Sequence, residues 1–126
     1  MAMLEVLVAV LLFSLGVLGL IGLQAHAIQF SVESEMRNRA ALIANEITTT
    51  MWLTGSVTLD TAVGGANSWN NRVAAELPNG VVVVAAVAAA TMPNSADISI
   101  TWQPPQRAVG QSSTSQLTTR VTLPPP

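Results

Sequence analysis

Residues 1–24 read MAMLEVLVAVLLFSLGVLGLIGLQ, and the fold follows from how this stretch is understood. Between residues 6 and 23 only Ser14 and three glycines interrupt large apolar side chains and Ala9. No formally charged residue occurs from Val6 to Val32, although His26 lies within. About 20 such residues span a bilayer as a helix. A cleaved secretory signal has a shorter apolar run of about 7–15 residues behind a basic segment, and neither feature is present here. The flanking cations, Arg37 and Arg39, follow the span. By the positive-inside rule they alone would hold the body of the chain in the cytoplasm. A basic leader removed ahead of residue 1 would reverse that orientation.

Glu5 is the anomaly. A carboxylate in a membrane segment is expensive and marks a functional position whose partner must be identified. Three roles are open. Glu5 can reach the interface and favour the positive helix N-terminus. It can pair with the α-amino group of its own Met1, or with a cation on another copy of the chain.

After Leu23 the pattern becomes amphipathic. Ile28, Val32, Met36, Ala40, Ile43, Ile47 and Met51 recur every three or four residues, one stripe of a helix. Glu33–Arg37 and Glu35–Arg39 are at the i,i+4 spacing that supports a helix surface. The spacing predicts a continuous helix of about 50 residues, on the order of 75 Å long. Trp52 and Leu53 close it and Gly55 stops it.

The remainder reads as a small α+β head. Residues 54–67 are a loop with room for one short strand. SWNNRVAAEL (68–77) is a short helix capped by Ser68, with Trp69, Val73 and Leu77 on one face; Pro78, Asn79 and Gly80 end it. GVVVVAAVAAA (80–90) is a strand over Val81–Val84 at least, with an alanine-rich tail of ambiguous structure. ADISITWQ (96–103) alternates, with Ile98, Ile100 and Trp102 on one side, and QLTTRVTL (116–123) repeats this with Leu117, Thr119, Val121 and Leu123. The three strands suggest an antiparallel meander of three to four strands covering the amphipathic half of the long helix. PPQRAVGQSSTS (104–115) is a polar linker, and Pro124-Pro125-Pro126 ends the sheet. The organisation expected is a transmembrane or filament-core helix over 1–24, its amphipathic continuation over 25–53, and a head over 54–126.

Composition narrows the function. Half of the residues are apolar and a tenth are charged, low for a free soluble domain. The net charge of −2 and five scattered arginines, with no lysine, offer nucleic acid no clustered cations. Cysteine is absent, so no disulfide staples the head. No ligand cluster suits a metal, Asp60 and Asp97 stand alone, and no glycine-rich phosphate loop or activated nucleophile is present. His26 reads as a polar interface residue. Trp52, Trp69 and Trp102 fall on faces expected to be buried. Neither an enzyme nor a cofactor is expected.

LEVLVAVLLFSLGVLGLIGLQ (4–24), followed by RNRAALIANEI (37–47), resembles the N-terminal helix of type IV pilins and of type II secretion pseudopilins, most closely the minor pilins of the PilV kind. The resemblance covers roughly the first 50 residues. Met1 stands where that family more often has phenylalanine. The resemblance implies a type IV pilin-like fold, removal of a short basic leader, methylation of Met1 at its amine, and an acid at mature position 5. It implies pairing of Glu5 with the Met1 amine of a neighbouring subunit during assembly. It further implies anchorage in a bacterial inner membrane with the N-terminus on the cytoplasmic side. The partners it brings are other pilin subunits and a pilus assembly platform, with an extracellular filament as the product. Adhesion, motility and DNA uptake stay undistinguished. Gly16, Gly19 and Gly22 have two readings: close helix packing, which small residues permit, or a weak stretch, since each glycine costs about 1 kcal/mol against alanine. The resemblance favours the weak stretch. A one-span protein whose outer domain binds a partner and never polymerises is the alternative of a different class.

Overall fold

The computed structural model describes residues 1–59, 61, 68–87, 94–105 and 114–125. Asp60, most of the 104–115 linker, the alanine-rich tail beyond Val87 and Pro126 lie outside the described residues. The elements are α1 (Ala2–Thr54), α2 (Trp69–Glu76), β1 (Val81–Ala86), β2 (Ser95–Trp102) and β3 (Ser115–Thr122). The layout is α+β, with a long apolar N-terminal helix and a small antiparallel sheet. The chain divides into two compact units, Met1–Glu33 and Ser34–Pro126.

In the Ser34–Pro126 unit, α1 supplies Ala40, Ile43, Ala44, Ile47 and Met51 to the core. The 3–4 spacing puts them on one stripe. The helix ends at Thr54, and Gly55 follows with φ of +64°, the left-handed conformation that stops helices at little cost to glycine. Along the predicted stripe, Met36 is half-buried, but Ile28, in the other unit, is 63% exposed. Trp52 corrects a second expectation: it is 53% exposed. Met51 occupies the core-facing position, and each successive helical residue turns about 100° away. The Glu35–Arg39 pair forms at 2.5 Å on the surface.

The sheet has the order β1-β2-β3, antiparallel throughout, and therefore three strands among the described residues. Val82 pairs with Ile100, Ile98 with Thr119 and Ala96 with Val121. Because side chains alternate across a strand, this register puts Val82, Ala96, Ile98, Ile100, Trp102, Val121 and Leu123 on the core side. Leu117 is only partly buried against that core and Thr119 half-buried. On the opposite face Arg120 grips Asp97 with two hydrogen bonds, Nε to Oδ1 at 2.6 Å and Nη2 to Oδ2 at 2.8 Å. The Arg120 guanidinium, by hydrogen bonding and charge, holds the Asp97 carboxyl below its ordinary range.

Helix α2 begins at Ser68, whose Oγ accepts the Asn70 N–H at 3.2 Å, the expected cap. Trp69 is half-buried rather than enclosed, and the Arg72 guanidinium lies 5.6 Å from its ring centre. Arg72 also reaches Glu46 of α1 at 2.6 Å and Glu76 at 3.7 Å. Beneath this surface sits Asn70, which is buried. Its Oδ1 accepts the Val82 N–H at 2.8 Å, and its Nδ2 donates to the Thr61 carbonyl. One amide thus ties the segment entering α2 to β1. The turn after α2 is equally constrained. Asn79 takes a φ of +48°, the Gly80 N–H donates to the Leu77 carbonyl at 3.1 Å, and a Cβ on Gly80 would come within 2.7 Å of the Val73 oxygen. Only glycine fits there.

Candidate assembly surface of the N-terminal helix

The candidate site is the Met1–Glu33 unit, and it is almost entirely one apolar helix. Leu, Val and Ala dominate its sequence, and leucine and alanine are good helix formers. The ladder starts with the Glu5 N–H donating to the Met1 carbonyl at 3.2 Å. Glu5 is the acid of the first turn, where a negative charge complements the helix dipole.

The large apolar side chains of this helix are exposed. Leu4 is 66% exposed, Phe13 74% and Leu18 72%, within a run of sixteen large apolar side chains exposed from Met1 to Leu23. At about 1.5–3 kcal/mol for each side chain transferred out of water, the surface represents on the order of tens of kcal/mol. A surface of that size favours an apolar surrounding over water. The 18-residue window of greatest mean hydropathy reaches 2.8, so this is a helix long and apolar enough to cross a membrane.

Polar groups within the run are few, and the structure distinguishes them. The Ser14 hydroxyl donates to the Val10 carbonyl at 2.8 Å, so it is satisfied inside its own helix. Glu5 has no such outlet. Among the described residues it forms no ion pair within 4.0 Å, with the Met1 amine or any other cation. Met1 and Glu5 share the first turn, and both are exposed. Gly16, Gly19 and Gly22 lie inside continuous α-helix, and a Cβ at any of them would meet nothing within 4 Å. They leave shallow backbone surface open along the helix. His26 is exposed near the end of the apolar run.

No group of three or more His, Cys, Asp or Glu side chains is placed to hold a metal among the described residues. Asp97 is engaged by Arg120. Asn70 is the residue that sequence reasoning missed, and its role is structural: a polar residue in the first turn of a short helix carries no periodic signal of burial. Comparison with protein-family models, with curated proteins and with solved structures finds no match to this chain.

Proposed function

We propose that the chain is a pilin-like structural subunit, a minor pilin that is held in a bacterial inner membrane and then assembled into an extracellular type IV filament. The observation that carries the reading is the exposed apolar helix with a carboxylate in its first turn, Glu5, that has no ion pair among the described residues. In this mechanism the apolar helix moves from lipid into a bundle of like helices, exchanging one apolar surrounding for another. Glu5 then meets the N-terminal amine of Met1 on a neighbouring subunit. A buried carboxylate without a cation is strongly penalised, so packing with incorrect stagger is rejected and the pair sets axial register. The glycines at 16, 19 and 22 give the helix its close-packing or locally yielding stretch. The chain acts as a structural part; it carries no catalytic role in this reading, and its partners are other subunits and the assembly platform. A pseudopilin of a type II secretion system would use the same helix in the same way.

The experiment is intact mass together with N-terminal peptide mass on native protein from sheared surface filaments. The expected result is a chain beginning at Met1, carrying one added methyl group, in that fraction. Recovery only from membranes, unmethylated or with upstream residues still attached, would leave a membrane-anchored domain that does not polymerise. Glu5→Gln and Glu5→Ala are expected to reach the membrane at parental levels and to be lost from filaments.

A further inference from the structure

The chain contains a single Asn-Gly dipeptide, Asn79-Gly80. Glycine presents no side chain to hinder attack of its backbone nitrogen on the amide carbon of the preceding asparagine. In that reaction the Gly80 nitrogen bonds to Cγ of Asn79 and loses its proton. The Cγ–Nδ2 bond breaks, and ammonia leaves with that proton. The resulting succinimide is opened by water at either ring carbonyl. One opening gives aspartate; the other gives isoaspartate, in which the main chain runs through the former side-chain methylene. Water is the only co-reactant.

The fold keeps these groups from meeting. The Gly80 N–H is engaged by the Leu77 carbonyl at 3.1 Å. The Asn79 Nδ2 donates to Gln103 Oε1 at 2.8 Å, and the Gln103 N–H donates to the Pro78 carbonyl at 2.9 Å, so the residue that follows β2 clamps the turn from outside. From inside, Gly80 is buried against α2, where a Cβ would lie 2.7 Å from the Val73 oxygen and 2.9 Å from the Leu77 Cβ. The nucleophile and the leaving amide are each held by something else. Both are released only when the turn separates from α2 and from Gln103.

We infer that Asn79 is a latent deamidation site gated by opening of this turn, and that its isoaspartyl product prevents the head from closing again. Isoaspartate adds one backbone atom immediately before Gly80 and so displaces a buried glycine whose α-carbon has no room for even a methyl group. Aspartate keeps the backbone length and tolerates the left-handed φ of +48° that Asn79 adopts. A subunit whose head has opened is therefore marked irreversibly, as in proteins whose unfolded chain is modified faster than it refolds.

The test uses the full-length chain in detergent micelles at mildly alkaline pH, folded and in urea, beside a synthetic peptide covering residues 75–83. Peptide mass and chromatographic separation of the two acid products give the rate at Asn79. The urea-unfolded chain is expected to react at the peptide's rate and the folded chain at least about tenfold more slowly, because reaction waits for local opening. Gln103→Ala is expected to raise the folded rate several-fold while leaving the peptide and unfolded rates unchanged. Purified isoaspartyl chains, returned to folding conditions, are expected to lack the parental melting transition. A folded rate equal to the peptide's would overturn the gating, and isoaspartyl chains that regain the parental transition would overturn the trap.

Discussion

Replacing Asn70 by alanine removes the two side-chain hydrogen bonds through which this residue joins α2 to its surroundings while leaving the Ser68 cap intact, because the cap uses the Asn70 backbone N–H. The two losses differ in size. Val82 is 1% exposed, so its abandoned N–H has no access to water, and an unsatisfied buried donor costs about 1–3 kcal/mol. Thr61 is half-buried, so water recovers part of its carbonyl's interaction and the loss stays near the net value of an ordinary hydrogen bond, about 0.5–1.5 kcal/mol. The sum is about 1.5–4.5 kcal/mol, or roughly 6–35 °C in melting temperature for a domain the size of the head. Asn70→Asp sharpens the test. Its carboxylate still accepts from Val82 but presents oxygen to the Thr61 carbonyl, where only a protonated carboxyl can donate. The introduced group is therefore held above its ordinary pKa, and its penalty shrinks as pH falls through the carboxylate range. Thermal unfolding of the full-length protein in detergent, followed by near-UV circular dichroism, reads both variants. A melting temperature for Asn70→Ala within about 3 °C of the parent would refute the reasoning.

Gly80→Ala is expected to lower head stability by about 1–3 kcal/mol despite the entropy alanine removes from the unfolded chain, since the new methyl meets backbone and a Cβ that cannot rotate away; an unchanged urea midpoint would contradict this. For the Asp97–Arg120 pair, the depressed Asp97 pKa means its contribution is present above the unfolded value of about 3.9 and is lost as pH falls through the lower folded value. The stability difference between the parent and Asp97→Asn is therefore expected to shrink on acidification, and a difference independent of pH would exclude the pair as its source. Trp52→Ser is expected to leave head stability within about 0.5 kcal/mol, whereas Trp102→Ala costs about 3–5 kcal/mol; parallel melting curves of the two variants test the assignment of exposed and buried indoles.

The elements most legible in the sequence were those in which one periodicity dominates. The apolar run, the 3–4 stripe ending at Met51, and the alternation of Ile98, Ile100 and Trp102 each reflect a single buried face. Trp52 departs from the expectation because register decides where residue type does not: Met51 takes the core-facing position, and Trp52, about 100° further round the helix, faces outward. Ile28 failed for a different reason. It continues the stripe numerically, but it belongs to the Met1–Glu33 unit, where no sheet provides a core. Asn70 and Gly80 were unreadable as hubs because their partners, Thr61, Val82 and Val73, are set by tertiary packing. At the candidate site the sequence showed the oddity of Glu5 directly. Its lack of an ion pair among the described residues depends on the folded arrangement of the chain, which spacing along the sequence does not give.

The two units obey different energetics, which makes their perturbations separable. The head closes its own core, with Ile47, Met51, Ile98, Ile100 and Trp102 all at or below 1% exposure, and its polar joints at Asn70 and Arg72 lie within the same unit. It achieves this without a cysteine, so the satisfied amide and the glycine wedge do part of what a disulfide does in other small domains. The Met1–Glu33 unit has no buried residue, and its stability depends on what surrounds it. Under the proposed function, a change at Glu5 is therefore expected to act on what surrounds the helix, while a change at Asn70 or Gly80 is expected to act on whether the head is closed. If the proposed assembly into filaments holds, loss from filaments with an unchanged head melting transition is the signature expected of the first, and a lowered transition with normal membrane insertion that of the second. A single substitution at Glu5 that produced both effects would mean that the head's closure depends on the packing of the apolar helix, contrary to the self-contained core seen in residues 34–126.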